Sequence, residues 1–291
     1  MYGKLTSRRT YLHFALPSLI VLAIILFYPL GYAIYLSFFR YSLGEIPKFT
    51  GLGNYVRLFG EADFVDAVGK SAVFTGIVVG VQLVLGLIIA LLLDSIARGR
   101  RLFTLLLFLP IVVTPSAAGL ILKWMFVPDW GMVNYFLRLL NIPQPNWFDS
   151  PLPAFVAVVL SDVWQYTPFV IIVMFAGLQS IPEDLMEAAK IDGASGFRTL
   201  FGIILPILRP LILFVVVMRT MDAWRIFDKI FVITGGGPGT ATETLTLYNY
   251  RVTFNLLRIG MGSAIGVWTL IFLLGIIGVY LYFLYRREQW G

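Results

Sequence analysis

Glu187-Ala188-Ala189-Lys190-Ile191-Asp192-Gly193, running on through Ser195 and Phe197 to Ile203-Ile204-Leu205-Pro206, is a polar stretch set between long apolar segments. Ser180-Ile181-Pro182-Glu183 just before it has the pattern of a capping box. A serine hydroxyl there accepts from the backbone N–H three residues on while the glutamate reaches back, which predicts a helix start. Gly193 can take the left-handed conformation that ends a helix without a Cβ penalty, and Ser195 is placed to cap the next one. The stretch therefore reads as two short helices hinged at a glycine. Ala188 and Ala189 leave one helix flank nearly bare, with Glu187 and Lys190 at its edges, a shape on which the groove of another protein can close.

The sequence on either side sets the fold class. Of 291 residues, 59% are hydrophobic and 13% charged, more apolar surface than a soluble core can hide, so the chain reads as an all-α, polytopic membrane protein. It has no cysteine and a single histidine, His13. Disulfide frames and thiol–metal sites are excluded, and neither catalytic nor metal-binding residues are assigned. The formal charge of +6 is dispersed among the apolar segments, which fits membrane topology and gives no nucleic-acid surface.

Six spans are predicted, at about 14–39, 72–93, 102–126, 154–178, 210–233 and 262–285, with the polar stretch at 180–206, all in one membrane domain over 1–291. The first follows Lys4, Arg8 and Arg9 and would be about 39 Å long as a helix, too long for a signal-peptide core. His13 sits at its edge as an interfacial residue. In the second, Gly76 and Gly80 have the small-xxx-small spacing that permits close helix approach, as do Gly262 and Gly266 in the last. Pro110 and Pro115 each remove a helix hydrogen bond, so the third span is expected to be bent or broken. Arg98, Arg100 and Arg101 in one short loop, and Arg286-Arg287 after the last span, place both termini and the 180–206 stretch on the cytoplasmic side.

Several intramembrane residues are polar. Asp162 and Gln165 precede Pro168 in the fourth span, and an ionisable group at that depth should face protein, water or the outer interface rather than acyl chains. The fifth carries Arg219, Asp222, Arg225, Asp228 and Lys229, which at 100° per residue share half of the helix surface. Two readings stand side by side: a structural ladder of i, i+3 and i, i+4 ion pairs, and the lining of a wet translocation path. Outside the membrane, Gly235-Gly236-Gly237-Pro238 reads as a flexible loop able to move as a gate. Tyr248 and Tyr250 after it offer ring faces on which sugar C–H groups stack and hydroxyls to bond them. The exterior segment 128–153 carries Trp130 and Trp147 around a short apolar helix, where an external protein can dock or aromatic anchors can rest at the interface. Gly69-Lys70-Ser71 imitates the end of a phosphate-binding loop, but the first glycine of that motif is replaced by Phe64, so any ATP hydrolysis belongs to a partner.

The spacing Glu-Ala-Ala, three residues, Gly, nine residues, Ile-x-Leu-Pro over Glu187–Pro206 resembles the coupling-loop motif in the membrane-spanning permeases of binding-protein-dependent, ATP-driven (ABC) importers. Gly-Gly-Pro followed by Thr242-Glu243-Thr244-Leu245 resembles the carbohydrate branch of that family, which includes the maltose and glycerol-3-phosphate permeases. The resemblance implies a type I importer permease with six transmembrane helices, working in a pair with a second copy or a related permease, the carbohydrate branch commonly using a related one. It implies two cytoplasmic ATPase subunits, which hold ATP and Mg²⁺ while this chain binds no cofactor, and an external solute-binding protein, all in a bacterial or archaeal inner membrane. Glu187, Ala188, Ala189, Lys190, Asp192, Gly193 and Pro206 would transmit the motion of the ATPase. Asp162, Gln165, Arg219, Asp222, Arg225, Tyr248 and Tyr250 are candidates for the translocation path. Gly235, Gly236, Gly237, Pro238, Trp130 and Trp147 are candidates for an external gate or binding-protein contact. A rival from another class is a secondary transporter driven by an ion gradient through Asp162, Asp222 or Asp228, but no inverted internal repeat is visible. A membrane-embedded enzyme using paired carboxylates is disfavoured, because arginines on the same helix balance those carboxylates.

Overall fold

A computed structural model describes residues 8–96 and 98–288. Lys4, and the side chains of Arg8, Arg9, His13, Arg286 and Arg287, on which part of the predicted topology rests, lie outside what it describes. In chain order the elements are α1 (Arg8–Ser37), β1 (Phe39–Arg40), β2 (Lys48–Phe49), α2 (Gly53–Gly60), α3 (Ala62–Ser95), α4 (Arg100–Val112) and α5 (Pro115–Met125). There follow α6 (Met132–Leu139), α7 (Pro151–Gln179), α8 (Glu183–Ile191), α9 (Gly196–Thr199), a π turn (Leu200–Ile204) and α10 (Leu205–Trp224). The chain ends with α11 (Asp228–Ile233), α12 (Leu245–Tyr250), a second π turn (Arg251–Asn255) and α13 (Ile259–Glu288). Among the described residues five helical stretches are long and apolar enough to cross a membrane, and α4 with α5 makes a sixth if that bent pair is one span.

The chain divides into two compact units. The first comprises residues 1–62 and 249–272. In it α1 leads into the two-stranded hairpin, where Phe39 pairs with Phe49 and their rings meet edge to face at 5.3 Å. Asn54, buried on α2, satisfies the end of α1 by donating to the carbonyls of Ser37 and Phe39, both at 2.8 Å. This supplies partners for the carbonyls a helix end leaves open. The loop after β1 is sewn to the segment before α13, with the Leu43 N–H donating to Leu257 O and the Gly260 N–H to Tyr41 O, each at 2.9 Å. Gly260 is required there, since a Cβ would collide with the Phe39 carbonyl. Gly262 is likewise pressed against Thr253, whereas Gly266, its predicted packing partner, has open space around its Cα.

The second unit comprises 63–248 and 273–291. Its main core gathers Ala90 of α3, Val170, Met174 and Leu178 of α7, and Leu208 and Val215 of α10, closed off by Ile181 and Ile204. Close helix approach does not occur at the predicted Gly76 and Gly80, which face open space. It occurs at Gly86, where a Cβ would come within 2.5 Å of Val170, and at Gly177, where it would run into Leu208 and Leu211. Here glycine accommodates a large branched partner instead of another small residue, a pairing that small-xxx-small spacing does not detect. The predicted break in the third span is present: α4 ends at Val112, Pro115 opens α5, and the two helices turn by 99°. A proline at the first helical position gives up an N–H that would be unpaired anyway. α5 then packs on α7 and α11.

The fifth predicted span departs most from expectation. α10 stops at Trp224, and Arg225 leaves helical geometry at φ −94° and ψ 13°. A separate helix, α11, begins at Asp228. The five charges therefore do not share one helix face.

Candidate functional site

Two sites emerge from the second unit. The first is the 180–206 stretch. α8 begins at Glu183 with Pro182 as its cap and no side-chain capping bond. The predicted capping box is absent because α7 continues to Gln179, and the Ser180 hydroxyl turns back to donate to Gly177 O at 2.7 Å, finishing that helix instead of starting the next. The far end of α8 follows the sequence. Gly193 sits at φ +67°, its N–H donates to Lys190 O, and the Ala194 N–H reaches Ala189 O at 2.9 Å, the two bonds of a Schellman cap. Ser195 caps α9 by accepting from the Arg198 N–H at 3.4 Å. The π turn then carries α9 into α10 without a gap, with the exposed Pro206 in the first turn.

The faces of α8 differ from the predicted bare flank. Ala189 is buried and Ala188 exposed, so the alanine pair does not form one open surface. The exposed apolar surface lies around the glycine hinge, where Ile191 is 86% and Phe197 78% exposed, with Phe201 beside them in sequence. Asp192 caps the C-terminus of α8 in the open. Glu187 and Lys190 line a groove of about 630 Å³ with Leu91, Asp94, Arg100 and Leu178, where the α3–α4 turn meets α8. Arg100 is fixed in that turn by donating to Asp94 O at 2.9 Å, with its guanidinium 5.5 Å from the Phe175 ring centroid.

The second site is a buried charge network. Asp162 on α7 is 2% exposed, and Arg219 on α10 and Lys229 on α11 are 1% exposed each. Lys229 Nζ donates to Asp162 Oδ1 at 2.6 Å and Arg219 Nη2 to Oδ2 at 2.8 Å. Gln82 of α3 closes the ring, accepting from Arg219 Nε at 2.9 Å and donating to Asp162 Oδ2 at 3.1 Å. The Tyr166 ring, one turn along α7, lies 4.2 Å from both the Arg219 guanidinium and the Lys229 ammonium. Both cations thus rest on its electron-rich face. A cavity of about 340 Å³ opens beside the network, lined by Asp162, Tyr166, Asp222, Arg225, Asp228 and Lys229 among others. Three carboxylates and two cations line it, and Arg219, which does not line the cavity but is bonded to Asp162 and Asp222, balances the third carboxylate. Each carboxylate oxygen of Asp162 thus accepts from one of the two buried cations.

The network unites the predicted Asp162, Arg219, Asp222 and Arg225. Arg219 and Arg225 each reach Asp222 at 3.4 Å, which retains part of the expected ladder. Gln165 is buried next to them, with its amide donating to Val113 O at 2.6 Å and its own carbonyl oxygen without a partner among the described residues. Tyr248 and Tyr250 are not part of it. Tyr248 is buried with its ring 6.3 Å from Phe64, and Tyr250 belongs to the first unit, 5.2 Å from Phe254. Sequence reasoning missed Gln82 and Tyr166, and did not foresee that Lys229 would reach another helix. The available signal for Gln82 was its position as the only strongly polar side chain between Gly76 and Leu93.

The external candidates divide. Trp147 presents no surface: it is 7% exposed, its indole N–H donates to Asn134 Oδ1 at 2.7 Å, and it packs on Phe126, so it anchors the 128–150 segment. Trp130 is exposed beside Trp124. The Gly235–Pro238 loop is not slack, because its backbone is bonded throughout. The Thr242 N–H donates to Gly236 O and its hydroxyl to Gly237 O, both at 3.0 Å, while Gly237 N–H donates to Thr234 O at 3.1 Å. Gly235 and Gly236 occupy positive φ, and the Gly237–Pro238 peptide is cis.

Residues 82–287 match the model of a family described as binding-protein-dependent transport system inner membrane component. A trehalose/maltose transport system permease protein from Thermococcus litoralis is 37% identical over 270 residues, covering 91% of this chain and 90% of that one. A sulfoquinovosyl glycerol transport system permease protein from Agrobacterium fabrum is 38% identical over 253 residues, covering 86% and 82%. Among solved structures, a chain of a bacterial alginate ABC transporter in complex with an alginate pentasaccharide-bound periplasmic protein superposes with a TM-score of 0.78 at 22% identity, over 94% of this chain and 93% of that one. That last likeness speaks for the fold alone.

Proposed function

Because this chain belongs to the binding-protein-dependent transport system inner membrane components, we propose that it is one of a pair of permease subunits passing a sugar or a sugar-linked polyol through a bacterial or archaeal inner membrane, on delivery by an external solute-binding protein. The trehalose/maltose and sulfoquinovosyl glycerol permeases support that substrate class. In this reading both termini and the 180–206 stretch are cytoplasmic, two ATPase subunits bind there, and ATP and Mg²⁺ act within those partners.

The observation that carries the reading is the glycine-hinged pair α8 and α9. Ile191, Phe197 and Phe201 expose apolar side chains on short helices otherwise rich in charge, and their burial requires another protein. Glu187 and Lys190 line the groove beside that surface, and the rigid join of α9 to α10 gives a displaced hinge a path into the membrane. A partner drives transport only to the extent that it binds the inward and outward states with different free energy. α8 and α9 are where that difference would be applied, and the polar cavity beside Asp162 lies on the proposed path.

The test is Gly193→Asp and Glu187→Ala in the assembled complex reconstituted into liposomes. A non-glycine residue at φ +67° costs about 1–2 kcal/mol, enough to deform the hinge and spare the spans. Membrane insertion should be retained, and uptake should fall while ATP hydrolysis continues. Normal uptake in both variants would overturn the assignment.

A further inference from the structure

The first unit contains a polar cavity of its own. It measures about 130 Å³ and is lined by Arg40, Tyr41, Glu45, Asn54, Arg57 and Arg258 among others. Two of its arginines converge: Arg57 Nε lies 3.3 Å and Arg258 Nη1 3.7 Å from the same oxygen, Glu61 Oε1. The third, Arg40, has no ion-pair partner among the described residues, and its guanidinium keeps five donors to offer. With Glu45 also on the wall, three cations face two carboxylates, leaving one positive charge in excess.

The surrounding backbone is built to hold this arrangement. Leu257, a non-glycine residue, is held at φ +55°, where its carbonyl accepts from the Leu43 N–H at 2.9 Å. The next residue is Arg258, whose own N–H donates to Val252 O at 3.0 Å. Strain of this kind persists only where neighbouring structure over-determines it, and it concentrates at binding and switching sites. Asn54, through its two bonds to the end of α1, fixes the adjoining wall. The cavity is far smaller than the roughly 300–1,000 Å³ of sites that bury a small-molecule ligand, so it suits a single group and not a sugar.

We infer that the Arg40–Arg57–Arg258 cavity is a docking socket for a carboxylate of the external solute-binding protein, a Glu or Asp side chain placed between arginine forks. This rests on the proposed function above, which supplies that partner. The chemistry follows from the donors: arginine presents a planar fork that matches a carboxylate bidentately, and charge complementarity at such a rim governs encounter rate and salt dependence.

The experiment uses the whole reconstituted complex and the sugar-loaded binding protein that stimulates its ATPase. Arg40→Ala removes the guanidinium that no ion pair occupies, Arg40→Glu reverses it, and Arg258→Lys keeps charge without the fork. The half-saturating concentration of binding protein should rise roughly fivefold in Arg40→Ala and more than about tenfold in Arg40→Glu, with a shallower salt dependence and unchanged basal ATPase. Arg258→Lys should weaken docking less than Arg40→Glu. Unchanged half-saturation in both Arg40 variants would overturn the socket. So would competition by millimolar acetate or phosphate equal in wild type and Arg40→Ala. If the wild-type complex showed no stimulation by any sugar-loaded binding protein, the proposed function itself would fail, an outcome distinct from failure of the socket.

Discussion

Replacing Asp162 by Asn tests the buried network at its centre. Among the described residues the carboxylate is the only anion within 3 Å of both Arg219 Nη2 and Lys229 Nζ, and all three groups are at least 98% buried. An asparagine offers one oxygen, which can accept from one of the cations, and turns an N–H₂ toward the other. Removing one partner from a buried pair costs about 3–5 kcal/mol, because the remaining charge has lost both its water and its counter-ion. Here two cations share the loss. Arg219 retains Asp222 at 3.4 Å, but that carboxylate is half exposed, and a pair of that kind contributes only about 0–1 kcal/mol. Asp162→Asn should therefore cost about 5 kcal/mol, whereas Asp222→Asn should cost less than about 1 kcal/mol. Adding Lys229→Met to Asp162→Asn removes the surplus cation and leaves Arg219 to the asparagine oxygen and Gln82. The double variant should recover about half of the loss, so that its cost falls well below the sum of the two single costs. Denaturant unfolding of the permease complex in lipid nanodiscs, read as the shift in midpoint at constant slope, gives these differences. A cost below about 1 kcal/mol for Asp162→Asn, or strict additivity in the double variant, would refute the claim that this network holds α11 against α7.

Two further predictions concern packing. Gly86→Ala and Gly177→Val place atoms inside the space of Val170 and Leu208, so each should lower the unfolding free energy by about 1–3 kcal/mol, while Gly76→Ala, facing open space, should raise it by about 0.5–1 kcal/mol through helix propensity, both read from the shift in denaturant midpoint. Asn134→Ala removes the acceptor of the buried Trp147 indole N–H and should cost about 1–3 kcal/mol, checked by increased protease cleavage within 128–150 while uptake-competent insertion is retained.

What could be read from the sequence follows the range of each interaction. The long spans were legible because about 20 apolar residues in a row is itself the signal, and the break at Pro115 because proline acts on its own backbone. The Gly193 hinge was legible for the same local reason. The helix break after Trp224 was not. Trp224-Arg225-Ile226-Phe227-Asp228 contains neither proline nor glycine, and continuing one helix put all five charges on a single face. The chain turns there, and α11 finds its place by packing on α5 at Gly119, a residue whose Cβ would lie 3.3 Å from Lys229 Cα. Lys229 then reaches Asp162, 67 residues away in sequence. Ser180 failed for a different reason: its hydroxyl could serve either of two helix ends, and the carbonyl of Gly177 was the nearer partner.

The same long-range pairing links the two sites on the proposed function. Gln82, Asp162, Arg219 and Lys229 come from four helices, and Gln82 and Arg219 are buried away from the cavity lining. A helix slipping by one turn, about 5.4 Å, would strand a buried charge, so the network tolerates discrete rearrangements and not gradual sliding. α10 joins this constraint to the 180–206 stretch. From Leu205, where the π turn delivers the chain from α9, to Arg219 is about 21 Å of helix at 1.5 Å per residue. A force applied at α8 and α9 arrives along that helix at a residue whose bonds to Asp162 and Gln82 are either kept or exchanged for others. Movement of the Arg219 end relative to α7 then changes the wall of the cavity that Asp162 and Asp222 line. On the proposed function the network would be the two-state element between the α8–α9 hinge and the proposed path, since a slipped arrangement re-pairs its charges and an intermediate one strands them.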